Sequence, residues 1–209
     1  MARLVLLSLV LLLATCHGSA HAIRPVATQP RATPAAFPPN ASQEFLEAHN
    51  DARSGVGVGP LKWSQALANL TSLLVRYQRD KMGCQFANLT AGKYGGNQLL
   101  ASGQAVAPRA AVEEWVKEKS FYNHADNSCA PNRQCGVYTQ ASWTAANPQE
   151  EVLATSSLRL VVACKAANPV VWRNSMELGC AQATCPKDQT SLTICFYNPP
   201  GNVVGERPY

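Results

Sequence analysis

A chain carrying Cys84, Cys129, Cys135, Cys164, Cys180, Cys185 and Cys195 beyond its N-terminal leader has its fold largely dictated by how those thiols pair. No C-x-x-C or Cys/His finger spacing occurs among them, so a disulfide framework is favoured over a zinc site. The number is odd, which leaves one thiol outside the framework, and Cys164 stands apart. Bridges need an oxidising compartment, and the first residues supply the route to it. Arg3 precedes an apolar stretch over residues 4–14, and Ala20-His21-Ala22 gives an A-x-A cleavage pattern. Residues 1–22 are therefore expected to be a signal peptide. The stretch is shorter than the roughly 20 residues that span a bilayer, so no integral membrane segment is expected. Sequons at Asn40, Asn69 and Asn88 mark expected glycosylation sites on a secreted, extracellular protein.

Of the 209 residues, 46% are hydrophobic and 15% charged, which suits one globular domain with a real core. The net charge of +5 is spread along the chain, apart from short clusters such as Arg76, Arg79 and Lys81. Without a basic stripe interleaved with aromatics, nucleic acid is not an expected partner. The chain is expected to be a monomer.

Pro25, Pro30, Pro34, Pro38 and Pro39 lie among alanines and threonines, so residues 23–42 are expected to be an extended linker. Ser42 then caps an expected helix in which Phe45, Ala48, His49 and Ala52 recur on one face. A second helix is expected from Ser64, with Leu67, Leu70, Leu74 and Tyr77 as its apolar stripe. A third runs over residues 108–119, where Pro108 suits the first turn and Glu114 and Glu118 lie one turn apart. Residues 178–184 and 192–197 have strand character. Helices first and strands later predict an α+β layered fold.

Several motifs then occur in order. Glu47-Ala48-His49-Asn50-Asp51-Ala52-Arg53 is followed by Gly57-Val58-Gly59-Pro60-Leu61-Lys62-Trp63, and later by Cys135-Gly136-Val137-Tyr138-Thr139-Gln140. Val170-Val171-Trp172-Arg173-Asn174-Ser175 precedes Leu178-Gly179-Cys180-Ala181, and Cys195-Phe196-Tyr197-Asn198-Pro199-Pro200-Gly201-Asn202 comes near the end. Over residues 43–209 the chain resembles the plant pathogenesis-related class 1 branch of the CAP superfamily, also called the SCP domain. The resemblance implies a three-layer α-β-α sandwich tied by Cys84–Cys185, Cys129–Cys135 and Cys180–Cys195. The cysteines alone leave many pairings open.

The family's cleft places two histidines and two acidic residues around a divalent metal. By position, the resemblance puts His49 and Glu118 at two of those places, with Gly96 standing for an acid and Val137 for a histidine. Glycine and valine offer no ligand atom and no transferable proton, so neither a metal nor a cofactor is expected. For His49 the bland alternative is a core histidine bonded to Glu118 or to backbone. No G-x-S-x-G, H-E-x-x-H or Cys-His-Asn pattern is present, and the cysteines serve as bridges. The expected function is defence by binding a sterol or other lipid, without catalysis. The alternatives are a metal-dependent extracellular hydrolase and a misjoined gene product that does not fold.

Two further segments stand out. Residues 141–169 separate Gln140 from Val170, which the family pattern joins directly, and they carry Cys164. They are either a loop insertion or a misjoined piece. The end of the chain, from Pro199 to Tyr209, fits a P-x-G-N…P-Y pattern of a defence-signal peptide released by plant relatives. An extracellular protease acting between Asn198 and Pro199 is the implied partner, in the apoplast. A tail that merely packs on the sheet is the other reading.

Overall fold

The computed structural model describes residues 40–89, 92–103, 105–133, 135, 151–155, 158–162, 170–186, 189–203 and 205–209, with 151–155 and 158–162 as backbone only. The expected signal peptide, nearly all of the linker, Val137 and Cys164 lie outside these residues.

Helix α1 spans Ala41–Ser54 and buries Phe45, Ala48, His49 and Arg53. Its N-cap is Asn40, with no side-chain cap bond. Ser42 is thus inside the helix, because the carbonyl of Asn40 already accepts the first amides, from Gln43 and Glu44. A short strand β1, Lys62–Trp63, leads into α2, Gln65–Lys81.

The buried face of α2 is Leu67, Ala68, Thr71, Val75 and Gln78. Leu70 and Tyr77, expected in its apolar stripe, are instead exposed. Hydrogen bonding explains the inversion. Thr71 Oγ1 donates within reach of both Leu67 O (2.8 Å) and Gly179 O (2.9 Å), and Gln78 Nε2 donates to Gln85 O at 2.7 Å. Two polar residues with satisfied bonds can therefore occupy the inner face.

Strand β2, Gly95–Ser102, is followed by α3, Pro108–Val116, which opens on Pro108 as expected. The helix tightens into a 3-10 turn over Lys117–Phe121, so Glu118 falls outside the α-helix that carries Glu114. A small hairpin of β3, Tyr122–Asn123, and β4, Ser128–Cys129, comes next. Strands β5, Glu151–Thr155, and β6, Leu158–Val162, pair antiparallel. Strands β7, Glu177–Thr184, and β8, Ser191–Asn198, complete the chain's regular structure.

The main sheet runs β1-β7-β8-β2-β6-β5. The part of the 141–169 segment that is described is therefore not a loop: β6 pairs with β2 through Leu100–Val161, Ala101–Leu160 and Ser102–Arg159. Strand alternation sends Leu99, Ala101, Leu178, Cys180, Cys195 and Tyr197 to the face covered by α1 and α3. Leu192, Ile194 and Ala183 go to the other face, with Val75 of α2. This is the three-layer α-β-α sandwich. At its tightest point, a Cβ on Gly179 would lie 2.2 Å from Ala68 N and 2.5 Å from Leu67 Cβ, so only glycine lets α2 approach β7 this closely.

The bridges join Cys84 to Cys185, Cys129 to Cys135 and Cys180 to Cys195, at separations of 101, 6 and 15 residues. These are the pairs that the family resemblance implies.

Candidate functional site

His49, the central candidate, is fully buried on α1. Its Nδ1 lies 2.7 Å from Phe45 O, and its Nε2 lies 2.8 Å from the Tyr197 hydroxyl on β8. A carbonyl only accepts, so Nδ1 carries the proton and Nε2 accepts from Tyr197. Burial first, with the nearby Arg53 charge adding to it, lowers the His49 pKa to about 4, against the backbone bond that pulls the other way. Burial likewise raises the Tyr197 hydroxyl well above its ordinary value. Both groups are therefore neutral near pH 7. The imidazole also packs against Trp115, with ring centroids 6.1 Å apart.

Two of the expected cleft positions, His49 and Gly96, lie apart, and Val137 lies outside the described residues. His49 meets Tyr197 on the α1/α3 face. A Cβ on Gly96 would point the other way, to within 3.0 Å of Leu89 Cδ1 and 3.2 Å of Phe196 Cδ1 in the cluster under α2. Gly96 and His49 thus lie on opposite faces of the sheet, and the space beside Gly96 is filled. Glu118 is half-buried in the 3-10 turn, and the two ring nitrogens of His49 are bonded to Phe45 and Tyr197 instead. Among the described residues, no group of three metal-ligating side chains comes together. The donor set does not fit a divalent metal, since coordination at His49 would require breaking one of its two buried hydrogen bonds.

What this constellation does is structural. The chain Phe45 O, His49, Tyr197 ties α1 to β8. One turn further along α1, Arg53 is 1% exposed and donates to four carbonyls: Gly59 (2.6 Å), Val170 (3.2 Å), Trp172 (2.9 Å) and Ser175 (3.0 Å). Burial lowers its pKa to about 10, so it remains charged at pH 7. Arg53, rather than the expected Ala52, is the fully buried residue of this turn. Spacing from Phe45 and His49 at i+8 and i+4 was the available signal.

The imidazole makes stability depend on pH. Its folded pKa lies below its unfolded value, so the unfolded chain binds the extra proton as pH falls. The contribution is complete above about pH 6.5 and is lost progressively down to about pH 4. Across that window the wild-type protein should lose about 3 kcal/mol more than a His49→Gln variant. Urea denaturation at intervals of pH reads the difference; parallel curves for the two proteins would show that His49 is not buried neutral.

The family model described as the cysteine-rich secretory protein family, CAP, matches residues 46–197. This chain belongs to the CAP superfamily, in its plant pathogenesis-related class 1 type. The STS14 protein of Solanum tuberosum is 56% identical over 169 residues, covering 81% of this chain and 65% of that protein. This chain thus spans about two thirds of that relative's length. The pathogenesis-related protein PR-1 type of Sambucus nigra is 35% identical over 171 residues, covering 81% of this chain and 83% of that one. Among solved structures, Na-ASP-1 superposes with a TM-score of 0.54 at 19% identity, covering 87% of this chain and 44% of that one. The venom allergen-like protein 4 of Schistosoma mansoni gives 0.51 at 20%, with 81% and 93% covered. At such identities the structures speak for the fold, and the CAP sandwich described above is that fold.

Three exposed asparagines head the sequons: Asn40, Asn69 and Asn88. No helix among the described residues is long and apolar enough to cross a membrane.

Proposed function

We propose that this CAP protein acts in the plant extracellular space by binding a lipid surface, sterol-containing membranes included, and that it does not catalyse. One observation carries the lipid reading: the outward ridge of α2. Leu70, Leu73 and Tyr77 are 42%, 58% and 54% exposed, and they follow one another at helical spacing. Arg76 and Lys81 are exposed on the same helix, which suits anionic headgroups. The closed hydrogen bonding of His49 supports the non-catalytic part, because a base that is buried and bonded at both nitrogens has no free site for a substrate proton. We propose glycosylation at Asn40 and Asn88, with Asn69 unmodified in the lipid-binding form, because carbohydrate there would shield the ridge.

Sedimentation with phosphatidylcholine vesicles containing an anionic lipid and a sterol tests the reading, using enzymatically deglycosylated protein. The wild type should co-sediment, and Leu73→Glu with Tyr77→Glu should weaken binding at least tenfold, since each exposed apolar side chain is worth about 1 kcal/mol or more on burial. Absence of wild-type binding to such vesicles would overturn it.

The same protein is proposed as the precursor of a C-terminal signalling peptide. Pro199 and Pro200 are exposed just past the fully buried Cys195 and Tyr197, which supports access of a protease to the bond before Pro199. Mass spectrometry of extracellular fluid from wounded, expressing tissue should detect the free peptide. Intact protein alone in that fluid would remove the precursor role.

A further inference from the structure

The chain past β8 is not a loose end. Pro208 is buried, and Gly201 and Asn202 are buried ahead of it. The carbonyl of Pro208 accepts from the backbone N–H of Arg173 at 2.7 Å. Ser175 Oγ donates to Pro199 O at 2.9 Å. On the other side, Arg207 Nη2 donates to Ala125 O at 3.1 Å, and Asn127 Nδ2 reaches Glu206 O at 3.4 Å. The Tyr209 ring stacks on the imidazole of His124, with centroids 4.5 Å apart and planes 18° apart, and Tyr122 meets it edge-on at 6.3 Å.

Both walls of this site are fixed by something other than the tail. The β3–β4 hairpin carries Tyr122 on its first strand and His124 and Asn127 in its loop. It is set by the β3–β4 pairing, by Tyr122 Oη donating to Asn127 Oδ1 at 2.8 Å, and by the Cys129–Cys135 bridge. The opposite loop is set by Arg53, which holds the carbonyls of Trp172 and Ser175. A site whose walls stay in place without its occupant binds with less loss of conformational freedom.

We propose that the segments over residues 122–127 and 172–175 form a binding site for a peptide carrying Arg-Pro-Tyr, normally filled by the chain's own residues 207–209. A tail cut after Asn198 accordingly stays bound. Chemistry selects such a peptide: its proline is buried without stranding an amide donor, and the aromatic ring after it has the His124 face to stack on. The biological use of this site rests on the precursor reading, where it makes release a two-step event of cleavage followed by dissociation. The binding itself does not depend on that reading.

The test uses the full mature chain with a recognition site for a sequence-specific protease inserted between Asn198 and the exposed Pro199. After complete cleavage under native conditions, gel filtration with mass spectrometry of each fraction locates the peptide. Co-elution with the body of the protein is expected. His124→Ala should speed dissociation about tenfold, as loss of a stacked aromatic pair and its buried area predicts, and His124→Phe should restore retention. Immediate elution of the wild-type peptide as a free species overturns the proposal, as does retention unchanged in His124→Ala. Free peptide in the fluid of wounded tissue is a separate readout, so loss of the precursor role and loss of the binding site remain distinguishable.

Discussion

Replacing Cys84 and Cys185 together with alanine should lower the unfolding free energy by about 4–5 kcal/mol, the largest effect expected from removing any one bridge. The reason is loop length. This bridge joins residues 101 apart, so in the unfolded chain it removes far more conformations than the Cys129–Cys135 link across 6. The same chain-entropy argument assigns the short link only about 2 kcal/mol. Position adds to the effect, since Cys84 follows α2 and Cys185 follows β7, and the bond clamps the outer layer onto the sheet. Urea denaturation of the two double variants at pH 7 should show this ranking. Equal losses for both would mean that native strain or residual unfolded structure, not loop closure, governs the bridges.

The motifs around the cysteines made much of this architecture legible in advance. Strands β7 and β8 alternate sides with a two-residue period, and the family pattern places Cys180 opposite Cys195, where the register puts them. Helix α3 announces itself by Pro108 and by Val112 and Trp115 on one face. Strand β2 was illegible for a physical reason. Gly95-Gly96-Asn97-Gln98 has poor strand propensity, yet all four residues are buried in the sheet. Gln98, for example, pairs its side-chain amide with both the N–H and the carbonyl of Ala87, at 2.9 and 3.0 Å. Helix α2 misled in the same manner, because Thr71 and Gln78 point inward with bonded polar atoms and leave leucines outside.

The site was less legible than the fold. A family position can be carried over residue by residue, but the face of the sheet to which a side chain points depends on register. One-residue alternation sends Gly96 and Asn97 to opposite layers. Tyr197, the partner of His49, sits 148 residues away, and no spacing argument reaches that far. Arg53 was passed over because a charged residue is ordinarily assigned to the surface. The cost of burying a guanidinium is offset here by carbonyl dipoles, and among the described residues no carboxylate pairs with it.

That arrangement makes the removal of Arg53 costly. Arg53→Met keeps the apolar stem and deletes the fork, leaving the carbonyls of Val170 and Ser175 buried without that donor, while Trp172 O keeps the Ser175 N–H at 3.1 Å. At about 1–2 kcal/mol for each stranded acceptor, the expected loss is on the order of 3 kcal/mol. Arg53→Lys should recover less than half of it, because a single ammonium cannot reach both Gly59 and the 170–175 loop, which the planar fork spans. A second consequence follows from the C-terminal tail. Arg53 holds the loop whose Arg173 N–H binds Pro208, so loosening that loop should expose the tail as well. In urea denaturation both variants should fall in the order Arg, Lys, Met. In limited proteolysis under native conditions, cleavage after β8 should accelerate in the same order. If Arg53→Lys matches the wild type in stability to within about 0.5 kcal/mol, the fork geometry is not what holds this loop. If stability falls while tail cleavage is unchanged, the coupling between α1 and the C-terminus is absent.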